Sequence, residues 1–227
     1  SSVELAAMAL PVGSVWSVSE CSPSGPTGHR AEAVLPQPLA SAAQSRPDHI
    51  GWRDQARTLT YAELADAAAR RATALSDIGA SPGATIAVMV EDAAERLISL
   101  HAVGWLGAVV APLDTRRTPT PELARQLQTL GARVVITDVP DQAPSGPWEV
   151  LETAPVALLK QRSAPRPWRL DAPRVALFTS GTSGVSKAIQ LNTRQLVFSA
   201  FGSACRLGHH LDDVWLACLP MHLSLIH

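Results

Sequence analysis

The sequence contains little cysteine. Its three cysteines, Cys21, Cys205 and Cys218, are odd in number, and no two have the spacing of metal ligands. A disulfide framework and a zinc site are therefore excluded, and a reduced cytoplasmic compartment fits best. Cys205 and Cys218 lie in apolar stretches, which predicts that both are plain core residues.

An excess of charge and a long apolar run are also missing. The formal net charge is −1, so there is no electrostatic basis for binding nucleic acid or an anionic membrane surface. No apolar run approaches the roughly 20 residues that span a bilayer, so we expect no integral membrane segment. With 46% hydrophobic and 17% charged residues, the chain can build a packed core. The composition gives no indication of oligomeric state.

Lysine is nearly absent. Lys160 and Lys187 are the only lysines among 19 basic residues, so arginine supplies almost all positive charge. A lysine retained against this bias is informative, because lysine and arginine are not interchangeable at phosphate sites.

The distribution of proline and glycine divides the chain. Residues 1–38 are punctuated by both and predict a loose, disordered leader rather than a domain. Residues 39–222 form one partial domain, and 223–227 are a candidate non-native tail that a sequencing adapter could encode. A proline-rich connector over residues 140–173 interrupts the domain.

Within 39–222, strand and helix patterns alternate. Thr60 and Glu63 form a capping box before one predicted helix, which Gly79 ends. Asp92 caps a second helix, and Asn192 caps a helix over 193–206. Continuous apolar strands between such helices predict an α/β fold, with mixed, largely parallel sheets flanked by helices. The predicted strands are 50–53, 57–60, 84–90, 109–111, 133–137, 148–151, 157–159, 174–179 and 213–219, and a further helix is predicted over 119–130.

The segment 178–188 carries the clearest chemistry. Four hydroxyl side chains, two glycines and Lys187 follow directly after a buried strand. Glycine lets the backbone approach an anion, successive amides can form an anion-binding nest, and Lys187 adds a full charge. We interpret the segment as a loop between a strand and a helix, where α/β folds place ligands. On composition alone, an ordinary Ser/Thr/Gly surface loop fits equally well.

Two common nucleotide motifs are excluded by the spacing. A Walker A loop needs glycine before the lysine and serine or threonine after it, but Ser186 and Ala188 occupy those places. The dinucleotide fingerprint Gly-x-Gly-x-x-Gly does not occur.

The segment resembles the phosphate loop of the adenylate-forming superfamily, aromatic-Thr-Ser-Gly-Ser/Thr-Thr-Gly-x-Pro-Lys-Gly. It departs from that signature at Ser183, Ser186 and Ala188, and the last requires a negative φ. Three more segments resemble the family in the same order, namely 59–64, 104–113 and 215–221. Within the superfamily, 179–188 and 211–221 most resemble o-succinylbenzoate–CoA ligases of menaquinone biosynthesis.

The resemblance implies an ATP-dependent acid–CoA ligase that uses ATP, Mg²⁺, CoA and a small carboxylic acid. The carboxylate attacks the α-phosphate, and CoA then takes the acyl group. No protein metal ligands are predicted. The loop residues would hold the β- and γ-phosphates, with Lys187 also catalytic: Thr179, Ser180, Gly181, Thr182, Ser183, Gly184 and Lys187.

His222 matches the first position of a family motif that ends in histidine near the acyl site, while Leu223 occupies the second. A catalytic role and a plain strand end both remain open for His222. Later family elements are not within the 227 residues, so we expect an incomplete N-terminal domain that is inactive alone and leaves apolar faces uncovered. The alternatives are a nonribosomal peptide synthetase adenylation domain and a non-catalytic nucleotide-binding domain.

Overall fold

The computed structural model describes residues 4–6, 33–153, 160–179 and 187–217. The central feature is a six-stranded sheet with strand order β11-β10-β6-β5-β7-β8. Its strands are β5 (Thr85–Met89), β6 (Val109–Pro112), β7 (Val134–Thr137), β8 (Glu149–Glu152), β10 (Pro173–Thr179) and β11 (Lys187–Asn192). All neighbours are parallel except β10 and β11, which confirms the predicted mixed, largely parallel sheet.

The remaining strands of the described residues form two smaller sheets. One is antiparallel with order β12-β1-β3-β4, and the other pairs β2 with β9. The leader prediction for 1–38 falls mostly outside the described residues, although β1 and β2 belong to it. The strands are β1 (Glu4–Ala6), β2 (Val34–Leu35), β3 (Ile50–Arg53), β4 (Thr58–Thr60), β9 (Trp168–Arg169) and β12 (Val214–Leu216).

Five α-helices accompany the sheets in the described ranges, and three of them begin after the predicted capping residues Thr60, Asp92 and Asn192. The Thr60 hydroxyl accepts the Glu63 amide at 3.2 Å, and the Glu63 carboxylate accepts the Thr60 amide at 2.8 Å. Asp92 accepts the Glu95 amide at 2.8 Å. The helices are α1 (Pro38–Ser45), α2 (Tyr61–Asp77), α3 (Ala93–Leu106), α4 (Thr120–Leu130) and α5 (Thr193–Leu207).

The large sheet separates two apolar layers. Leu64 and Leu75 of α2 pack with α3 and with Ile86 and Ile136, which lie on one face of the sheet. On the other face, α4 packs against Met89, Val135 and their neighbours. Side chains alternate between the faces of a strand, so the continuous apolar strands β5, β6 and β7 supply both layers.

Two hydrogen bonds from tryptophan side chains attach residues 160–169, the second part of the connector, to this core. The Trp168 indole donates to the Gly104 carbonyl at 3.0 Å, and a Cβ at Gly104 would lie 3.2 Å from the same ring. Trp105 of α3 donates to the Ser163 carbonyl at 2.9 Å. Gly107 ends α3 at φ 79°, which favours glycine. The family-like segment 104–113 therefore has a packing reason for its glycines.

Among the described residues, none of the helices combines the length and apolarity that crossing a membrane would require. The predicted strand 157–159 lies outside the described residues, as does the end of the predicted strand 213–219.

Candidate functional site

The candidate phosphate loop is the connection of a β-hairpin. Strands β10 and β11 pair antiparallel, and Thr179 lies directly opposite Lys187 at the open end of the ladder. Opposite residues in such a pair have Cα atoms about 4.5–5.5 Å apart. The structure thus brings together the first and last residues of the predicted site. The intervening residues Ser180, Gly181, Thr182, Ser183 and Gly184 lie outside the described part of the chain.

The interpretation of 178–188 as a strand-to-helix loop was wrong. Strand β11 stands between the loop and α5, and it begins at Lys187 itself. The signal was present, since Ile189 and Leu191 alternate with Gln190 and Asn192 in the manner of a half-buried strand. The glycine and serine residues before Lys187 obscured it. Ala188 lies within β11, so its extended backbone has the negative φ that the family resemblance required.

The hairpin nevertheless opens at the edge where α/β sheets place ligands. Because β10 runs parallel to β6, Thr179 lies at the same end of the sheet as the carboxyl ends of β5, β6 and β7. Cross-strand partners share a face, so Thr179 and Lys187 lie on one side of the hairpin. Lys187 is exposed and Thr179 is half-buried. A hydroxyl donor and an ammonium group therefore flank the mouth of the loop.

The acidic residues Asp138 and Glu91, at the same edge of the sheet, accept hydrogen bonds from neighbouring loop residues. The Asp138 carboxylate accepts the backbone amides of Glu91 and Asp92 at 2.8 Å each. The Glu91 carboxylate accepts from Thr115 at 3.1 Å and from Arg116 at 3.2 Å. The described ranges contain no group of three His, Cys, Asp or Glu residues that could hold a metal ion. These hydrogen bonds connect the loops that follow β5, β6 and β7.

Arg174, which no sequence pattern singled out, anchors the base of the hairpin. Its side chain is buried, its Nε donates to the Thr193 hydroxyl at 3.1 Å, and its guanidinium lies 5.2 Å from the Trp168 ring centre. Burial lowers the pKa of Arg174. The contacts join β10 to the first residue of α5 and to the connector. An arginine at the start of an otherwise apolar strand was the available signal.

The residues around the end of α5 complete the comparison with the sequence. Residues 211–212 form a turn, and Asp213 accepts the His210 amide at 2.8 Å. Cys205 is exposed on α5, so its prediction as a core residue was wrong. Its apolar neighbours on α5 are exposed as well, so no core forms around it. His222 and Cys218 lie outside the described residues.

Comparison with known proteins identifies the class. Residues 39–227 match the family described as AMP-binding enzyme, and the chain belongs to that family. A curated relative, the 2-succinylbenzoate–CoA ligase of Geobacillus kaustophilus, is 36% identical over 196 residues, which are 84% of this chain and 40% of the relative. The chain therefore spans about two-fifths of the length of the curated relatives it matches.

Solved structures agree with this assignment. The Bacillus subtilis o-succinylbenzoate coenzyme A synthetase in complex with AMP aligns with a TM-score of 0.70 and 27% identity, covering 78% of this chain and 48% of that one. The same enzyme with ATP and magnesium ion gives 0.67 and 26%, covering 78% and 49%. The Klebsiella oxytoca NpsA N-terminal subdomain with 3-hydroxybenzoyl-AMSN gives 0.60 and 27%, covering 74% and 44%. A further structure fuses NpsA to ThdA as an adenylation–PCP di-domain.

Proposed function

We propose that this chain provides the ATP-phosphate site of an AMP-forming acid–CoA ligase whose acid is 2-succinylbenzoate. The observation that carries the proposal is the hairpin that sets Thr179 beside Lys187 at the carboxyl edge of the parallel sheet. Membership of the AMP-binding family over residues 39–227 supports it.

In this reaction the protein contributes mainly by positioning the reactants and by stabilising the charge on the phosphates. ATP supplies an activated α-phosphate, and the acid's carboxylate attacks it. Lys187 provides three donors and a positive charge to the β- and γ-phosphates, and Thr179 provides a hydroxyl donor. The backbone amides and side chains of residues 180–184 complete the predicted cradle. Rigid strands on both sides of the loop, fixed at their base by Arg174, hold the two flanking groups in place.

Mg²⁺ would enter the site bound to ATP, and Lys187 and Thr179 would hold the phosphates rather than the metal. Mg²⁺ usually keeps several waters and binds through substrate phosphates with one or two carboxylates. The part of the chain with described coordinates contains no carboxylate cluster that would form a cage of its own. The solved Bacillus subtilis relative holds ATP and a magnesium ion, which supports the same pairing here. The choice of CoA as acceptor rests on the names of the curated relatives.

The acid is proposed from the same relatives. The G. kaustophilus and B. subtilis enzymes, at 36% and 31% identity, are both 2-succinylbenzoate–CoA ligases. A carrier-protein-dependent adenylation domain is the second candidate, because NpsA structures share 27–28% identity. The B. subtilis ligase structures align with TM-scores of 0.67–0.70 and the NpsA structures with 0.59–0.62, which favours the CoA ligase. A domain that binds nucleotide without turnover is the third candidate, since Ser186 and Leu223 depart from the family signature.

A graft tests the proposal. Residues 39–222 would replace the aligned segment of the B. subtilis ligase, and ATP–pyrophosphate exchange would be measured with 2-succinylbenzoate and with 3-hydroxybenzoate. We expect exchange that depends on 2-succinylbenzoate and falls at least a hundredfold in Lys187→Ala, because the phosphates lose their cation. Lys160→Ala is the matched control and should retain exchange. A folded graft that shows exchange only with 3-hydroxybenzoate would refute the acid assignment. A graft whose exchange rate is unchanged by Lys187→Ala would refute the phosphate site.

A further inference from the structure

The ladder between β10 and β11 contains one irregularity, and it lies at Arg174. Pro173 is opposite Asn192, but the next pair along the ladder is Val175 with Leu191, so β10 has one residue more than β11 over this step. A β-bulge of this kind places two residues of one strand opposite one residue of its partner. Arg174 is the extra residue.

The extra residue determines which side chains face each other at the mouth of the loop. All pairs after the bulge keep one register, which sets Thr179 opposite Lys187. Without the bulge, the pairing that precedes it would continue and set Phe178 opposite Lys187. Since a slip of one residue moves side chains to the other face of a ladder, Lys187 would leave the face that it shares with Thr179.

Burial alone fixes this register only weakly. Residues 187–190 of β11 are exposed, and Leu191 is the one apolar residue of this strand that packs against the main core cluster. Strand β11 is also an edge of the six-stranded sheet. Register is strongly specified where one face of a strand is buried and weakly specified where both faces meet water. A further contact is therefore needed to hold the pairing.

The side chain of Arg174 provides such a contact. Its Nε donates to the Thr193 hydroxyl at 3.1 Å, and its guanidinium lies 5.2 Å from the centre of the Trp168 ring. Both partners are fixed in turn, because the Thr193 amide donates to the Ala172 carbonyl at 3.1 Å and the Trp168 indole donates to the Gly104 carbonyl at 3.0 Å. The bulged residue is thus held between the start of α5 and the connector.

Stability alone does not explain an arginine at this position. Arg174 is 4% exposed, and its Nη1 is buried without a hydrogen-bond partner among the described residues. A buried polar group without a partner destabilises a fold, and replacing a buried charge by an apolar side chain is often neutral or favourable. Buried polar groups can instead specify one arrangement of the chain over another.

We propose that Arg174 is a positioning residue that sets the register of the β10–β11 hairpin and thereby keeps Lys187 on the same face as Thr179. Five residues of extended strand, about 17 Å, separate Arg174 from Thr179, so it acts through the ladder rather than by touching the nucleotide. The register concerns the chain alone, and its effect on ATP binding rests on the proposed function.

Disulfide trapping measures the register directly in the 227-residue chain with its three natural cysteines replaced by serine. One cysteine pair, Phe178→Cys with Ala188→Cys, is opposite in the structure, and a second, Phe178→Cys with Lys187→Cys, is opposite only after a slip. Successive side chains point to opposite faces, so each pair cross-links in one register. We expect Arg174→Met to slow cross-linking of the first pair at least fivefold and to accelerate that of the second by a similar factor.

Substitutions at Thr193 test the same contact without removing the arginine. Thr193→Val removes the hydroxyl that accepts from Arg174 and should change the cross-linking in the same direction, whereas Thr193→Ser retains the hydroxyl and should not. Arg133→Met, at an exposed arginine directly before β7, is the matched control and should leave both rates unchanged. Circular dichroism verifies the fold of each variant, and if Arg174→Met does not fold, the two Thr193 variants decide.

Two outcomes would overturn the proposal. One is first-pair cross-linking that is equally fast in the unsubstituted background, in Arg174→Met and in Thr193→Val. The other is a folded Arg174→Met chain that loses the first cross-link without gaining the second, because Arg174 would then stabilise the hairpin without choosing its register.

The effect on ATP is measured separately in the graft of residues 39–222. Arg174→Met should raise the KM for ATP in ATP–pyrophosphate exchange at least fivefold, because Lys187 leaves the face that it shares with Thr179, and Arg133→Met should not. A register that shifts while this KM stays constant would support the role of Arg174 in the hairpin and overturn the proposed phosphate site, so the two failures are distinguishable.

Discussion

The residues from 39 to 179 and those from 187 to 217 have similar apolar patterns but different surroundings. Leu75 in α2 is fully buried, whereas Leu207 in α5 is 67% exposed. Trp52 in β3 is fully buried, whereas Trp215 in β12 is 43% exposed. The first region contains helices on both faces of its sheet, whereas among the described residues the second region has neighbours on one side only. The difference shows that an apolar sequence pattern indicates that an element requires a covering layer, whereas burial depends on whether such a layer is present.

The largest contrast is expected for two arginine ion pairs. Arg71 is buried and donates to Glu95 at 2.7 Å and to Ser99 at 3.0 Å. Removing one member of a buried pair costs about 3–5 kcal/mol when it leaves a charge unpaired. Glu95 also pairs with Arg57 at 2.8 Å, so Arg71→Met should lower the free energy of unfolding by the lower end of that range, about 3 kcal/mol. Arg194 pairs with Asp171 at 2.8 Å on the surface, and Arg194→Met should cost about 0–1 kcal/mol. Urea unfolding checks both, and equal losses would contradict the division into two regions.

Two leucines in helices provide the next contrast. Leu75→Ala removes a fully buried side chain and should lower the free energy of unfolding by about 3 kcal/mol. Leu207→Ala, made at an exposed position, should change it by no more than about 0.5 kcal/mol. The substitutions are chemically identical, so the difference reports burial. A loss above about 2 kcal/mol for Leu207→Ala would show that α5 is covered in the isolated chain.

Histidine titration gives the smallest of the three contrasts. Burial lowers the pKa of His101, in α3, to about 4 from an ordinary value of 6.5. The unfolded chain therefore binds this proton below pH 6.5, while the folded protein binds it only near pH 4, and stability is lost as pH falls across that window. The full shift corresponds to about 3.4 kcal/mol, and because His101 is only half-buried, solvent screening reduces the expected loss well below that value.

One substitution isolates this effect. His101→Gln should flatten the pH dependence of urea unfolding between pH 6.5 and 4 relative to the unsubstituted chain. An unchanged slope in His101→Gln would show that the imidazole titrates alike in the folded and unfolded states.

Local signals predicted the helix boundaries well. Thr60, Asp92 and Asn192 each cap a helix as expected, because capping depends on residues three positions apart. Strand β11 was missed because the glycines and serines before Lys187 concealed its alternation. The burial of Cys205 was predicted wrongly because burial depends on a layer that the local sequence does not contain. Arg174 was missed because its partners, Trp168 and Thr193, come together only through the sheet.

The phosphate assignment depends on which of two lysines lies beside the bound nucleotide. Adenosine diphosphopyridoxal, an ATP-site reagent whose aldehyde is fixed on nearby amines by borohydride, would be added to the 227-residue chain, and the labelled peptides would be mapped by mass spectrometry. We predict labelling of Lys187 that ATP suppresses, with little at the exposed Lys160. Equal labelling of both lysines, insensitive to ATP, would contradict the assignment of the β10–β11 hairpin as an ATP-phosphate site.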